Sequence, residues 1–174
     1  MEKGGTALRA PEAGDVPFLR ALRNDVALQT QLLSLPRPNS DDRVREWIGS
    51  LARDEASLFF IIHAVAEAAP VGFIQVREMH MVHRRGVLGI CLAEAARGHG
   101  HGSAAMEMME DFAHRVFGLR KLTLQVLASN TGAVRLYERT GYTTVGVLRG
   151  HFMNDGFFHD VALMEKFLAA EVPA

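Results

Sequence analysis

Alternating apolar positions and runs of β-branched and aromatic residues predict six to seven β-strands along this chain. The predicted strands are 6–10, 58–66, 71–79, 87–92, 121–127, 143–151 and 157–166. In the fifth of them, Leu122, Leu124 and Val126 fall on one face and polar residues alternate with them. Residues 67–70 and 153–156 each separate two consecutive strands, so we predict two hairpins.

Apolar residues that recur at steps of three and four predict helices between these strands. The longest follows residue 102, and Gly118 marks its end. Its predicted apolar face consists of Ala105, Met109, Phe112 and Val116, and its polar positions of Glu107, Glu110, Asp111, His114 and Arg115. Further helices are predicted over 15–23, over 25–33, from 40–41 through 51, and between Asn130 and Gly141. Two prolines make 34–39 a loop.

The strand 87–92, the long helix and the strand 121–127 follow one another within about 40 residues. A strand, a helix and a strand in this order predict a parallel pair joined by a right-handed crossover.

A length of 174 residues and a hydrophobic content of 48% are typical of one soluble globular domain. We predict a single domain over 1–174, with loose tails at 1–5 and 169–174. The net charge of −1 gives no electrostatic reason to expect nucleic acid or an anionic membrane surface as a partner. No apolar leader is apparent, and the longest apolar run, 58–62, is too short to cross a bilayer.

Cys91 is the single cysteine, so the chain forms no internal disulfide, and we expect a reducing cytoplasm as its location. Two interpretations of this thiol are open: a nucleophile that is itself acylated, or a small buried hydrophobe. Its position within an apolar strand favours the second interpretation. The eight histidines include no H-x-x-x-H spacing, and we predict no metal site.

A glycine-rich turn lies between the strand 87–92 and the long helix. Gly98, Gly100 and Gly102 occupy every second position, so their backbone N–H groups are not shielded by side chains. These N–H groups and the positive end of the helix dipole form an anion site suited to phosphate, and Arg97 adds a positive charge. The turn therefore predicts a phosphorylated cofactor.

Two nucleotide-binding loops can be compared with this spacing. The dinucleotide fingerprint G-x-G-x-x-G fails because the three glycines are evenly spaced. The ATP/GTP loop G-x-x-x-x-G-K-[ST] fails because the turn contains no lysine. The pattern [Q/R]-x-x-G-x-[G/A] does match, with Arg97, Gly100 and Gly102 at its defining positions. This resembles the acetyl-CoA loop of the GNAT superfamily of N-acetyltransferases.

The resemblance implies that the amides of this loop bind the pyrophosphate of acetyl-CoA. The cofactor-binding residues that it implies are Leu92, Arg97, Gly98, His99, Gly100, His101, Gly102 and Ser103. We expect valine at Gly100 or Gly102 to abolish cofactor binding, with a smaller effect on folding. The side chains of His99 and His101 either contact phosphate in the protonated form or point to solvent and leave only their amides to bind.

The segment 130–142 carries a second and more specific motif. Its pattern, N-x-x-A-x-x-L-Y-x-x-x-G-[FY], resembles the second GNAT motif and begins 28 residues after Gly102. Asn130 can cap the helix and Gly141 can end it in the left-handed conformation. The resemblance implies that Asn130 contacts the cofactor and that Tyr137 protonates the departing thiolate, a step that requires a nearby proton donor.

The general base is less clearly marked. Many relatives carry a glutamate early in the central strand, but residues 86–88 of this chain contain no carboxylate. Glu78, near the end of the preceding strand, is the nearest substitute, and His80 comes next. For each of them, a solvated charge at a strand end is the alternative interpretation. Glu94 lies where phosphate is expected and is discounted as a base.

The segment 150–161 resembles the branch of this superfamily that contains ribosomal-protein N-terminal acetyltransferases and spermidine acetyltransferases. The implied fold is α/β (α+β), with a mixed, largely antiparallel sheet of six to seven strands and helices on both faces. In this fold the two early helices and the loop 34–39 face the substrate.

The implied reaction is direct transfer of an acetyl group from acetyl-CoA to a primary amine. A protein N-terminus, a polyamine, an amino sugar and an antibiotic remain open as acceptors, and residues 24–40 show no acidic cluster that would indicate a polyamine. The alternative function is a non-catalytic acyl-CoA-binding module. Assembly as a homodimer is also open.

Overall fold

The computed structural model describes residues 1–168 and contains one eight-stranded sheet. The strands are β1 (Glu2–Lys3), β2 (Thr6–Arg9), β3 (Leu58–Ala64), β4 (Ala69–His80), β5 (Arg85–Leu92), β6 (Lys121–Leu127), β7 (Thr143–Asn154) and β8 (Phe157–Phe167). Their order across the sheet is β1-β2-β3-β4-β5-β6-β8-β7. Among the strands of residues 1–168, only β5 and β6 pair in parallel. The predicted mixed, largely antiparallel sheet is therefore confirmed, but it has eight strands rather than six to seven.

The additional strand is β1, in the segment 1–5 that the sequence analysis predicted as a loose tail. That prediction was wrong. Gly4 and Gly5 have φ angles of 55° and 74° and form a two-residue turn that pairs Lys3 with Thr6. Consecutive glycines that both adopt positive φ are a typical hairpin signal, so the sequence did contain the necessary information. The other predicted tail, 169–174, lies outside the described residues.

Helices cover both faces of the sheet, as predicted. They are α1 (Val16–Asn24), α2 (Val26–Gln31), α3 (Asp41–Arg53), α4 (His101–Phe117) and α5 (Thr131–Arg139). Adjacent strand residues point to opposite faces: Ile61 packs in the cluster formed with α1, α2 and α3, whereas Ile62 packs in the cluster formed with α4 and α5. Each face of the sheet thus has its own hydrophobic core.

The helix α4 differs from its prediction in three respects. It begins at His101, so Gly102 lies inside its first turn. Val116, predicted to be apolar and buried, is 62% exposed. Glu110, predicted on the polar face, is buried, and its Oε2 accepts a hydrogen bond of 2.5 Å from Lys166 Nζ on β8. The buried face of α4 is therefore displaced by about one residue from the predicted face. The displacement buries the carboxylate of Glu110, and the positive charge of Lys166 compensates the negative charge of that carboxylate.

The parallel pair predicted around the long helix is present but short. β5 and β6 are in register only from Arg85 opposite Lys121 to Val87 opposite Thr123. Beyond these residues β5 continues along β4 to Leu92, and β6 continues along β8. The two strands part in the middle of the sheet, and this parting opens a cleft that reaches the backbone of both strands.

Gly72 allows the close approach of β4 and β5 at the end of this parted region. A Cβ atom at Gly72 would lie 2.2 Å from the carbonyl oxygen of Cys91, which is backbone and cannot rotate away. We expect Gly72→Ala to lower the free energy of unfolding by about 3 kcal/mol, at the upper end of the cost of overpacking.

Urea unfolding of the Gly72→Ala variant measures this loss through the midpoint at unchanged slope. Gly146→Ala on β7 is the matched control, since a Cβ atom there meets nothing within 4 Å. Equal midpoints for the two variants would show that β4 and β5 can separate without cost.

Candidate active site

The cleft between β5 and β6 has a volume of about 1070 Å³ and gathers most of the residues that the two motifs indicated. This volume is at the upper end for sites that hold small molecules or cofactors. The predicted residues that line it are Glu78, Leu92, Arg97, Gly98, Gly100, Gly102, Ser103, Asn130 and Tyr137. Of the residues predicted from the motifs, His99 and His101 are not among the cleft-lining residues in the described part of the chain.

The glycine loop presents backbone N–H donors at the N-terminus of α4. Gly98 and Gly100 have φ angles of 82° and 87°, and a Cβ atom at either position would meet open space. The N–H of Ala104 bonds to the carbonyl of Gly100, so the N–H groups of residues 101–103 precede the bonds of the helix itself. Donors without side-chain cover at a helix N-terminus fit the pyrophosphate of coenzyme A.

Gly102 is required for close packing, unlike Gly98 and Gly100, which face open space. A Cβ atom at Gly102 would lie 3.1 Å from Leu136 on α5 and 3.3 Å from Leu92 on β5. The missing side chain therefore lets α4 pack closely on both neighbours, and valine here would disturb packing before it disturbed the cofactor. The same effect was expected for valine at Gly100 and at Gly102, but the surroundings of the two glycines differ.

The side chain of His101 is engaged elsewhere. Its Nδ1 lies 2.8 Å from the hydroxyl of Thr6, a buried residue on β2. The ring of His99 is exposed, with its centroid 6.5 Å from that of His101. This placement favours the interpretation in which the amides of these two residues, rather than their imidazoles, face the cofactor.

The helix α5 brings Tyr137 to the cleft. The side chain of Asn130 caps this helix by accepting a hydrogen bond of 3.1 Å from the N–H of Ala133, and Gly141 follows the helix with a φ of 93°. Both local predictions are confirmed. Tyr137 is only 7% exposed, and its burial raises the pKa of the phenol to about 12. The hydroxyl consequently keeps its proton at neutral pH and is available as a donor.

Glu78 reaches the cleft through an irregularity in β4. The pairing of β4 with β5 shifts register between Arg77 and His80, and Glu78 within this bulge has a φ of 52°. A left-handed conformation at a residue other than glycine is unusual and is found disproportionately at functional sites. Bulges also redirect side chains, which here places a carboxylate on the cleft wall.

His80, the second candidate base, and Glu94, which was discounted as a base, are not among the cleft-lining residues in the described part of the chain. His80 stacks on His83 with ring centroids 4.1 Å apart, and its Nδ1 accepts a hydrogen bond from the N–H of His83. Glu94 is exposed in a short 3-10 turn after β5. Among residues 1–168, Glu78 is the one carboxylate that lines the cleft.

One wall of the cleft was missed by motif analysis. Side chains from the α1–α3 side line it together with β4 residues, and they include Arg23, Leu28, Gln29, Trp47, Phe73, Gln75 and Arg77. None of these residues belongs to either of the two motifs. The placement of the early helices beside the substrate had come from the family resemblance alone.

Cys91 lies in the core between β5 and the α1–α3 layer. Burial raises the pKa of its thiol to about 12, so at neutral pH the sulfur is not a thiolate and is a poor nucleophile. This supports the interpretation of a buried hydrophobe. Within residues 1–168 no group of three metal-ligating side chains is placed to hold a metal ion.

The helices of the described region include none that is both long and apolar enough to span a bilayer.

Comparison with known proteins gives consistent relatives. The model of the acetyltransferase (GNAT) domain family matches residues 6–143. The spermidine N(1)-acetyltransferase of Vibrio cholerae serotype O1 is 28% identical over 157 residues, covering 90% of each chain. The Escherichia coli K12 spermidine N(1)-acetyltransferase is 24% identical, covering 90% of this chain and 83% of the relative.

A solved structure shows the same fold. The crystal structure of spermidine N-acetyltransferase from Vibrio cholerae in complex with CoA and spermine superposes with a TM-score of 0.87 at 27% identity, covering 94% of this chain and 96% of the other. The cleft, the glycine loop and the matched family model agree with the two sequence motifs. The chain belongs to the GNAT family of acetyltransferases, which confirms the resemblance, and it is an enzyme that transfers an acetyl group from acetyl-CoA to a primary amine.

Proposed function

We propose that the acetyl group passes directly from acetyl-CoA to an amine held in the cleft between β5 and β6, with Tyr137 as the proton donor. The observation that carries this proposal is that the glycine loop and the Tyr137 phenol line one continuous cleft. A cofactor bound by its pyrophosphate at the loop can therefore extend its thioester toward the phenol without leaving the protein.

The parted strands supply backbone groups to this reaction. Beyond Val87, β5 hydrogen-bonds to β4 on one side only. Every second residue of a strand directs its N–H and C=O groups to the free edge, so residues 88–92 present backbone donors and acceptors to the cleft. Such a donor can bind the amide-rich arm of the cofactor or polarise the thioester carbonyl as its oxygen gains charge.

Tyr137 and Glu78 have different roles in proton transfer: Tyr137 donates a proton to the leaving sulfur, and Glu78 accepts one from the incoming amine. A sulfur that leaves without a proton is a charged group in a mostly buried site, which is unfavourable. The Tyr137 phenol, with a pKa of about 12, is protonated and can supply that proton. Glu78 is the carboxylate available to accept a proton from the incoming ammonium, directly or through a water.

Glu78→Gln is expected to lower the turnover number by about 10-fold. This is less than the usual effect of a buried general base because Glu78 is exposed, and solvent can take over part of its task. The remaining rate should rise more steeply with pH, since free amine must then form without assistance. The rate of coenzyme A thiol release at several pH values measures both effects.

Glu94→Gln is the control, because Glu94 is also exposed but does not line the cleft. The proposed role of Glu78 fails if the two variants have the same pH profile. The proposal of direct transfer is tested in the same assay with a panel of amines that includes spermidine, the acceptor named for the relatives. Acetylated product must appear in step with free thiol, and absence of both for every amine would contradict it.

A further inference from the structure

The charges along the cleft are mostly positive. Arg23, Arg77, Arg97 and Arg139 line it, and in the described part of the chain Glu78 is the only acidic residue among the lining side chains. Arg97 adjoins the glycine loop, where the phosphates of the cofactor are expected, and Arg139 lies at the end of α5. Arg23 and Arg77 lie instead on α1 and β4, the elements that form the opposite wall.

Arg23 is held in place by its neighbours. Its Nε donates a hydrogen bond of 3.1 Å to Asn39 Oδ1, and its guanidinium carbon lies 4.3 Å from the centroid of the Trp47 ring. Asn39 is buried, and its backbone N–H bonds in turn to Asn24 Oδ1 at 2.9 Å. The guanidinium is thereby fixed as a flat group stacked on an indole.

The same guanidinium has no acidic partner among residues 1–168. It forms no ion pair there, and its Nη groups donate no hydrogen bond to a described protein atom. Partial burial, and secondarily the charge of Arg43, lower the pKa of Arg23. A half-buried and uncompensated cation is unfavourable, and an anion that binds beside it relieves this cost.

Arg23 lies on the side of the cleft where the acceptor is expected, and not on the side of the glycine loop. The Trp47 ring packs edge-on against Phe73 at 5.7 Å, and Phe73 pairs with Cys91 on β5. The rings of Trp47 and Phe73 therefore lie between the Arg23 guanidinium and β5, the strand that borders the cleft. The guanidinium is on the face of the sheet that α1–α3 cover. The loop 97–100 leads instead into α4, which covers the other face.

We propose that the acceptor is a small amine that also bears a carboxylate, and that Arg23 binds this carboxylate. This rests on the proposed function, since it identifies the substrate class of the same cleft. A guanidinium matches a carboxylate through two parallel N–H donors, a geometry that the free Nη groups of Arg23 allow. Arg77 adds positive charge on the same side, and together they disfavour a polyamine, whose second ammonium would meet like charge.

Acceptors of equal length but different charge test the proposal with the intact enzyme. The series consists of 5-aminopentanoate, pentylamine and 1,5-diaminopentane, with the shorter homologues of each and spermidine. We expect kcat/KM for the carboxylate members to exceed that for the matched diamines by about 10-fold or more. A preference for diamines or spermidine would overturn the proposal.

Variants assign the preference to Arg23. Arg23→Met keeps an apolar stem against Trp47, and we expect it to reduce kcat/KM for the amino carboxylate to the level of pentylamine, with the KM for acetyl-CoA unchanged. Arg23→Lys should restore only part of the preference because it lacks the paired donors. Arg20→Met is the control, since Arg20 also lies on α1 but does not line the cleft. An equal rise in the KM for acetyl-CoA would assign Arg23 to the cofactor and contradict the proposal.

Binding separates this inference from the proposed function. Calorimetric titration of the enzyme–coenzyme A complex with pentanoate and with pentylamine reports the charge preference without turnover. Tighter binding of pentanoate supports the proposal even if no amine is acetylated, a result that would contradict the proposed function alone. Tighter binding of pentylamine contradicts the carboxylate site whatever the turnover.

Discussion

Tyr137→Phe is expected to lower the turnover number by about 10²-fold or more while the fold and the affinity for acetyl-CoA are retained. The substitution removes one oxygen from a side chain that is 7% exposed and leaves the packing of its ring intact. The lost group is the proton donor to the departing sulfur, so the chemical step slows and ground-state binding does not change.

The pH profile gives an independent check on the same role. Burial holds the pKa of Tyr137 at about 12, so the donor stays protonated and its contribution falls only as the pH rises through that value. Wild-type turnover should therefore show no falling limb from Tyr137 between pH 6 and about 10, the unperturbed value of tyrosine. Single-turnover measurement of thiol release, with the enzyme in excess over acetyl-CoA and the amine saturating, isolates the chemical step.

Tyr142→Phe is the matched control, because the chain has two tyrosines and these two rings lie 6.0 Å apart. The Tyr142 hydroxyl is buried beside the Glu110 carboxylate, and Tyr142 does not line the cleft in the described structure. Its removal should leave turnover within about twofold of wild type, as for a residue without contact to the reaction. Equal turnover for Tyr137→Phe and Tyr142→Phe would remove Tyr137 from the mechanism.

Gly100→Val is expected to weaken coenzyme A binding by about 10²-fold, since a β-branched residue held at a φ of 87° costs about 1–3 kcal/mol. Relief of that strain turns the amides of the loop away from the positions that suit a pyrophosphate. No described protein atom lies within 4 Å of the added Cβ, so the loss arises from the backbone angle and from the ligand rather than from core packing. Calorimetric titration with coenzyme A measures the affinity.

Gly156→Val provides a control with the same strain at another place. Gly156 has a φ of 80°, and a Cβ there also meets open space, but it lies in the turn between β7 and β8. Both variants should lose similar stability, and only Gly100→Val should lose affinity. Wild-type affinity in Gly100→Val would mean that the loop does not bind the pyrophosphate. Gly102→Val should instead lower stability, because its side chain would press on Leu136.

The sequence determined the features that depend on near neighbours along the chain. The strand Lys121–Leu127 has the predicted bounds because alternation over seven residues fixes which face is buried. Asn130 and Gly141 delimit α5 because cap and stop residues act within one helical turn. The two motifs identified the family for the same reason: each is a short segment that can be recognised from its own residues.

The hairpin of β1 and β2 also has a local signal in the sequence. Gly4 and Gly5 specify the turn that pairs β1 with β2, although a two-residue strand carries too little alternation to be recognised by itself. The error on α4 has another origin. Helical periodicity places Glu110 on the polar face, but Lys166, 56 residues away, allows that carboxylate to be buried.

Only the tertiary structure decided where β5 and β6 part and which side chains form the acceptor wall. The register of β5 against β6 ends at Val87 because each strand then follows a different partner, and no local pattern encodes that choice. Arg23 on α1 stacks on Trp47 on α3, and no spacing of residues along the chain predicts this contact. Contacts between residues distant in the chain depend on how whole elements pack, so the charge that we propose selects the amine became visible only in the folded protein.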